Sequence, residues 1–233
     1  IFITSLHQML FLVIPCSVIL LILRVPLIRM VYGAARFPWE STVKTSYALA
    51  FFSISIPAQA TVLLLTRSFY ALRDTATPVK IGTLTALLNL GLCLLFINQL
   101  NWGVWSIAFA FSITSGIDMV AMLYMLNRKL GGFDVEKLLN PFIKMSYAAI
   151  MMGVALYLPL KILDRRVFDT TRTIQLLGIS GVAATFGITT YLVLTKLFQV
   201  EEIKLFYSFL SKVNIKEAFH NKPHTKNVAE VEN

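Results

Sequence analysis

Long stretches of apolar residues without a charge restrict the possible folds of this chain more than any other feature of its sequence. No Asp, Glu, Lys or Arg occurs between Thr45 and Thr66, or between Thr173 and Thr195. An α-helix rises about 1.5 Å per residue, so each stretch is long enough to cross a hydrocarbon core of about 30 Å. We therefore expect a membrane-spanning helix in each.

The same length argument predicts four more spans, which gives six in all. Apolar residues make up 57% of the 233 residues and charged residues 14%, a balance that would leave a soluble domain with too little polar surface. Because a membrane β-barrel needs many short alternating segments, continuous runs predict an all-α integral membrane protein. The four further spans run from Leu6 to Val31, from Ile81 to Ile97, from Val104 to Leu126 and from Phe142 to Leu160.

The net charge of +9 does not indicate nucleic-acid binding, because the basic residues lie between the apolar runs and in the tail. Six alternating spans place thirteen Lys and Arg residues on one side and eight on the other. The positive-inside rule then puts both termini in the cytoplasm. The thirteen are Arg67, Arg73, Lys80, Arg128, Lys129, Lys137, Lys144, Lys196, Lys204, Lys212, Lys216, Lys222 and Lys226; the eight are Arg24, Arg29, Arg36, Lys44, Lys161, Arg165, Arg166 and Arg172.

A charged segment, TRSFYALRDTATPVK from Thr66 to Lys80, separates the second and third predicted spans, and we call it the hinge segment. We expect Thr77 to cap the third helix and Pro78 to be its first residue. The sequence DTATP, which begins at Asp74, would then end one helix and start the next.

The hinge segment also carries three basic residues, Arg67, Arg73 and Lys80. Positive charge beside a helix N-terminus attracts phosphate. Marking the cytoplasmic side of the membrane would explain these charges equally well.

Polar residues inside the predicted spans are candidates for function, because an ionisable group in hydrocarbon costs several kcal/mol unless it faces protein or water. Asp118 is a short carboxylate that cannot reach the headgroups, so we expect it to face a cavity or an ion-pair partner. For Asn89 and Gln59, hydrogen bonds to a neighbouring helix are as good an explanation as a role in transport. Arg24 is explained by extension toward the outer headgroups or by substrate contact.

The organisation along the chain follows from the spans. We expect four helices in residues 1–127, two more in residues 128–198, with a helix start at Pro141, and an amphipathic helix with a polar tail in residues 199–233. The chain begins at Ile1 without a signal-peptide pattern and is expected to be part of something longer. Three pairs of small residues permit close helix contacts: Ser112 and Gly116, Gly82 and Ala86, and Ala183 and Gly187.

The pattern R-x-F-Y-A-x-x-D-T-x-T-P-V-K, which begins at Arg67, closely resembles the signature between two late helices of the MurJ/MviN lipid II flippases. The stretches IPCSVILLILRVPLIRMVYG, GTLTALLNLGLCLLF and WSIAFAFSITSGIDMVAMLYML resemble, in order, the ninth, eleventh and twelfth helices of that family. The resemblance extends to about Lys212 and covers the last six of the family's fourteen helices. It leaves out the N-terminal lobe.

The resemblance implies an alternating-access transporter built from two six-helix lobes around a central cavity. Its cargo would be the undecaprenyl-diphosphate-linked peptidoglycan precursor, moved from the inner to the outer leaflet of the bacterial cytoplasmic membrane. Basic residues would hold the diphosphate, for which Arg24, Arg67, Arg73 and Lys80 are the candidates here. The last two helices would form a groove for the lipid tail, and the partners would be membrane lipids and the missing lobe.

The resemblance also suggests a coupling cation, sodium or a proton, and no other cofactor. Asn89 matches a position near such a cation in some family members, with Ser112 close to a partner position on the next helix. The second polar position of the family, one turn after Asn89, is Cys93 here, and Asp118 stands where the family often has Asn.

Other functions remain as alternatives. The cargo could be another polyprenyl-linked oligosaccharide or a small cation, and the chain could be a split membrane subunit that does not transport by itself. An enzyme is disfavoured, because the sequence has no Gly-rich phosphate loop, no metal-ligand cluster and no nucleophile arrangement.

Overall fold

The structure of the protein is a computed structural model that describes residues 2–32, 38–132, 135–166 and 173–198. In these ranges all regular secondary structure is helical, which confirms the predicted all-α class. The elements are α1 (Phe2–Ile22), α2 (Arg24–Tyr32), α3 (Trp39–Ala71), α4 (Ala76–Leu94, followed by a π-helical turn at Leu95–Gln99), α5 (Trp105–Lys129), α6 (Val135–Arg166) and α7 (Thr173–Leu197).

Helices long and apolar enough to span a membrane match the predicted runs. Within the described residues these are Phe2–Ile22, Trp39–Ala71, Ala76–Gln99, Trp105–Lys129 and Asn140–Leu158. The sixth predicted span forms the single helix α7, whose 25 residues contain no charge before Lys196. Most of the helices extend beyond the predicted spans, because polar residues continue the helical hydrogen bonding past the apolar runs.

The first predicted span, Leu6 to Val31, is wrong as a single helix. The chain leaves helical geometry at Leu23, between the end of α1 at Ile22 and the start of α2 at Arg24. Pro26 explains the break, because proline has no amide hydrogen and its ring collides with the carbonyl four residues earlier.

The predicted helix start at Pro141 is also wrong, since α6 already begins at Val135. Two glycines end the preceding helix α5: Gly131 and Gly132 have φ angles of 76° and 94°, in the left-handed region that favours glycine. With the turn made there, the next helix can begin before Pro141.

Three helices, α1, α3 and α5, form a layer with α3 in contact with both of its neighbours. Helix α6 packs against α1, α7 against α6, α4 against α5, and α2 against α3 and α7. A cavity of about 90 Å³ lies between the layer and α6, and we call this side the covered face. The cavity is lined by Leu6, Leu10, Thr61, Met119, Leu123, Leu138 and Phe142.

Opposite ends of the helices carry different clusters. At the hinge end, Leu65, Phe69, Met122 and Leu126 form a buried core against which Phe2 packs. At the other end is a group of stacked and tilted rings: Phe51, Phe96, Trp102, Trp105 and Phe109, with the Trp102 and Trp105 centroids 5.4 Å apart. The start of α1 and the hinge segment therefore share one end, as alternating spans require.

One of the three small-residue pairs lies at a close helix contact. A Cβ atom at Gly187 on α7 would lie 2.9 Å from Cδ1 of Leu156 on α6, whereas one at Gly82 or Gly116 would meet nothing within 4 Å. The amphipathic helix and tail predicted for residues 199–233 lie outside the described residues, and the predicted division at residue 127 stays a prediction.

Candidate functional site

The hinge segment turns in a loop of four residues, Leu72 to Thr75. Arg73 has a φ angle of 56°, the left-handed geometry that commonly follows the last turn of a helix. The amides of Leu72 and Asp74 both donate to the carbonyl of Phe69 at 3.0 Å, so the end of α3 is closed by hydrogen bonds.

The predicted cap at Thr77 is wrong, because α4 begins at Ala76 and Pro78 is its third residue. The amide of Thr77 donates to Oδ1 of Asp74 at 3.1 Å, so the carboxylate satisfies one of the free amides of the first turn. Pro78 fits there because an amide in the first turn has no partner within the helix.

The same carboxylate pairs with the end of α5. Lys129 donates to Oδ2 of Asp74 in a salt bridge, and its ammonium lies 5.9 Å from the centroid of the Phe69 ring. The hydrogen bonds from Lys129 and Thr77 hold the pKa of Asp74 well below its ordinary value. The negative charge that the α4 N-terminus favours is thus supplied by the chain itself.

Further basic side chains lie at this end of the molecule. A pocket of about 310 Å³ is lined by Thr77, Met125, Arg128 and Lys129. Nearby in the hinge segment, Arg67, Arg73 and Lys80 are exposed to solvent or headgroups. These three predicted phosphate contacts therefore lie at one end of the molecule.

Arg24, the fourth predicted phosphate contact, lies far from the other three. Its guanidinium is 5.9 Å from the ring centroid of Tyr47 on α3. Because Tyr47 and Arg67 are twenty residues apart on one helix, about 30 Å separates these two levels. The structure therefore does not bring the four basic residues into a single site.

A hydrogen-bonded cluster joins α4 to α5 within the spans. Nδ2 of Asn89 donates to Oγ1 of Thr114 at 3.1 Å, and the thiol of Cys93 donates to Oδ1 of Asn89 at 3.1 Å. The Thr114 hydroxyl is itself within 3.1 Å of the carbonyls of Ala110 and Phe111. The partner of Asn89 on the next helix is therefore Thr114, which sequence analysis missed.

Ser112, expected to lie close to the partner position on α5, does not itself bond to Asn89. Its hydroxyl contacts the carbonyl of Phe51 on α3 and that of Ala108 on its own helix. Ser112 thus joins α5 to α3 instead of α4.

Asp118 lies four residues after Thr114 on α5, so both are on the same side of that helix. Its Oδ1 atom is buried and makes no hydrogen bond with any described residue. A carboxylate in this position is the kind of group that exchanges a proton or accepts a hydrogen bond from a ligand.

Gln59 and Gln8 lie inside apolar spans and are exposed, and the sequence analysis did not name Gln8. Gln59 on α3 donates to Oγ of Ser55 at 2.8 Å and remains exposed, while Gln8 on α1 is exposed as well. Gln8 has a sequence signal, an amide within an apolar run, but it lies close to the predicted start of its span.

A family model described as "Lipid II flippase MurJ" matches residues 1–175. The chain is 28% identical over 203 residues to a "Lipid II flippase MurJ" of Thermosipho africanus, covering 87% of this chain and 38% of that protein. It is 31% identical over 155 residues to a "Probable lipid II flippase MurJ" of Haemophilus influenzae, covering 64% and 29%.

A solved structure agrees with these relatives. It is described as "Lipid II flippase MurJ, inward closed conformation" and matches with a TM-score of 0.67 at 25% identity, covering 87% of this chain and 39% of that one. The chain thus spans about two fifths of the length of the relatives that it matches most extensively.

Proposed function

Because the chain belongs to the MurJ family of lipid II flippases, we propose that it forms the C-terminal part of a transporter for lipid II. The family match over residues 1–175 is the observation that carries this proposal. The transporter would carry the undecaprenyl-diphosphate-linked precursor from the inner to the outer leaflet of the cytoplasmic membrane by alternating access, without a covalent change to the cargo.

The proposed orientation has the hinge end and both termini in the cytoplasm. The surplus of Lys and Arg at that end supports it, and so does the group of tryptophans at the other end, a residue enriched at membrane interfaces. Arg67, Arg73 and Lys80 would then meet the diphosphate on the cytoplasmic side. The Asp74 carboxylate fills the α4 N-terminus, so the phosphate would contact these side chains and not the helix end.

The second lobe of the carrier is the proposed partner of this chain. The matched relatives are more than twice as long as the part that this chain matches, so most of their residues lie outside it. Alternating access needs two bodies that move against each other, and the unmatched part would supply the other one.

A metal cation does not fit the cluster around Asn89. Hard cations prefer carboxylate and other oxygen ligands, but the thiol of Cys93 already donates to the Asn89 oxygen. We therefore propose a proton as the coupling ion and Asp118, with its unpaired buried oxygen, as its carrier.

The test is complementation of bacteria depleted of their own lipid II flippase. One strain receives this chain alone; another receives a chimera in which it replaces the matched part of the Thermosipho africanus relative. We expect the chimera to restore lipid II in the outer leaflet and the chain alone to fail. Membrane fractionation controls for insertion. A chimera that inserts at the level of the parent relative and exports nothing would contradict the proposal.

A further inference from the structure

The side of the α1/α3/α5 layer that faces away from the cavity carries polar side chains, and we call it the open face. Leu6 and Leu10 line the cavity on the covered face. Gln8 is two residues from each, which places it about 200° around the helix from both. On α3, Gln59 is likewise two residues from the cavity-lining Thr61.

Gln8 and Gln59 lie at the same depth. Phe2 packs against the cluster that contains Leu65, and Leu6 shares its cavity with Thr61, so α1 and α3 are antiparallel. Gln8 lies two residues after Leu6 and Gln59 two residues before Thr61, so on antiparallel helices both are displaced in the same direction along the axis. Both side chains are exposed there.

Asp118 joins them from α5. The rings of Phe52 and Phe111 are 5.5 Å apart, and Oγ1 of Thr66 lies 3.9 Å from the sulfur of Met122, so α3 and α5 run in the same direction. On α3, Gln59 lies midway between Phe52 and Thr66. On α5, Asp118 lies just beyond the middle of the segment from Phe111 to Met122. The two are within about one helical turn along the axis.

Asp118 points to the edge of the open face. Its neighbour Met119 lines the cavity, so Asp118 is turned about 100° away from the covered face. Toward the tryptophan end, α2 packs against α3 beside Phe52.

Lipid is an unsuitable neighbour for such a surface. Two exposed amides inside apolar spans would each cost free energy against hydrocarbon, and the half-buried Asp118 beside them has a buried oxygen atom without a hydrogen bond from any described residue. They need water or hydrogen-bonding groups of a ligand. Arg67, the next basic residue toward the hinge on α3, is eight residues from Gln59, about 12 Å along the axis.

We propose that Gln8, Gln59 and Asp118 form a subsite for the uncharged part of the cargo headgroup, its sugar hydroxyls and peptide amides. An amide side chain both donates and accepts hydrogen bonds, and a carboxylate accepts them, which suits hydroxyl and amide groups but not a diphosphate. This subsite rests on the proposed function and deepens it. The diphosphate would lie toward Arg67.

Cysteine labelling tests whether water reaches the open face, and this test needs no cargo. In the chimera freed of Cys16 and Cys93, Gln8→Cys and Gln59→Cys are compared with Leu87→Cys, using a membrane-impermeant maleimide. Leu87 is a matched control, because it is two residues from Asn89, near the depth of Asp118, and exposed on the side of α4 away from α5. We expect labelling at both glutamine positions to be several-fold faster than at Leu87. Equal slow labelling at all three would overturn the subsite.

Protection from labelling tests the chemistry. Lipid II added to proteoliposomes should slow the labelling of Gln59→Cys several-fold, whereas undecaprenyl phosphate, which lacks sugar and peptide, should not. Equal protection by both lipids, or by neither, would overturn the assignment to the uncharged headgroup. Export by the parent chimera is measured separately, so a failure of the subsite is distinguished from a failure of the proposed function.

Discussion

The carboxylate of Asp74 holds two helices together, because it accepts the Thr77 amide at the start of α4 and the ammonium of Lys129 at the end of α5. Asp74 and Lys129 are 55 residues apart in the chain. Their pairing fixes the loop between α3 and α4 to the neighbouring helix.

The first prediction concerns the pH dependence of this pair. The folded-state pKa of Asp74 is depressed, so the pair stabilises the loop above the unfolded pKa of about 4 and the effect is lost as pH falls through the folded value. The ¹³C shift of the Asp74 carboxyl should titrate well below pH 4 in the parent. In Lys129→Gln the midpoint should move up toward the ordinary value. Lys80→Gln is the control and should leave it in place; an unchanged midpoint in Lys129→Gln would contradict the pairing.

The second prediction concerns a hydrogen bond between α1 and α7. Tyr191 donates from its hydroxyl to the carbonyl of Phe11 at 3.0 Å, in the buried interior. Pro15 has no amide hydrogen to offer that carbonyl, so the phenol replaces the missing helical bond. Tyr191→Phe should lower the free energy of unfolding by about 1–3 kcal/mol. Thermal unfolding in detergent measures it, with the exposed Tyr147→Phe as control; equal effects of the two variants would refute the role.

The third prediction concerns the contact between α6 and α7. A methyl group at Gly187 would lie 2.9 Å from Leu156, whose side chain is fully buried and has little room to turn. Gly187→Ala should therefore destabilise the protein by about 1–3 kcal/mol. Gly178→Ala on the same helix meets nothing within 4 Å and is the matched control. In a Leu156→Ala background the effect of Gly187→Ala should shrink, and an undiminished effect would point to another cause.

The fourth prediction concerns Asp118. In the chimera, Asp118→Asn keeps the shape of the side chain but removes the exchangeable proton. Insertion should be unchanged and transport should fall about tenfold or more, equivalent to about 1.4 kcal/mol. Transport of lipid II into vesicles with and without an imposed pH gradient measures it. Glu136→Gln, an exposed carboxylate outside the layer, is the control. Full transport with an intact response to the gradient would remove Asp118 from the coupling pathway.

The sequence predicts the spans well because charge-free runs such as Thr45–Thr66 have few alternatives in a membrane. It predicts helix ends poorly, because these depend on single contacts. The break at Leu23 follows from Pro26, and hydropathy alone does not predict it because the run stays apolar on both sides of the break. The start of α4 depends on the Asp74 carboxylate accepting the Thr77 amide.

The candidate site is less predictable than the spans. The residue types Asn89 and Asp118 stand out in the sequence, but their partners depend on how helices pack side by side. Thr114 is one of many hydroxyl residues in the spans, and only the register of α4 against α5 selects it. Gln8 becomes a candidate only once the orientation of α1 against α3 is known, because that orientation puts it at the same depth as Gln59.

The hydrogen bond from Tyr191 to Phe11 has a consequence for how the protein is made. Its two partners are separated by 180 residues, which a ribosome adds in about 10–40 s at 5–20 residues per second. For that interval α1 sits in or beside the translocation channel, and the Phe11 carbonyl lacks the phenol that it accepts a hydrogen bond from in the folded protein. Retention of α1 there until α7 arrives would make the insertion of these helices a process completed in one late step.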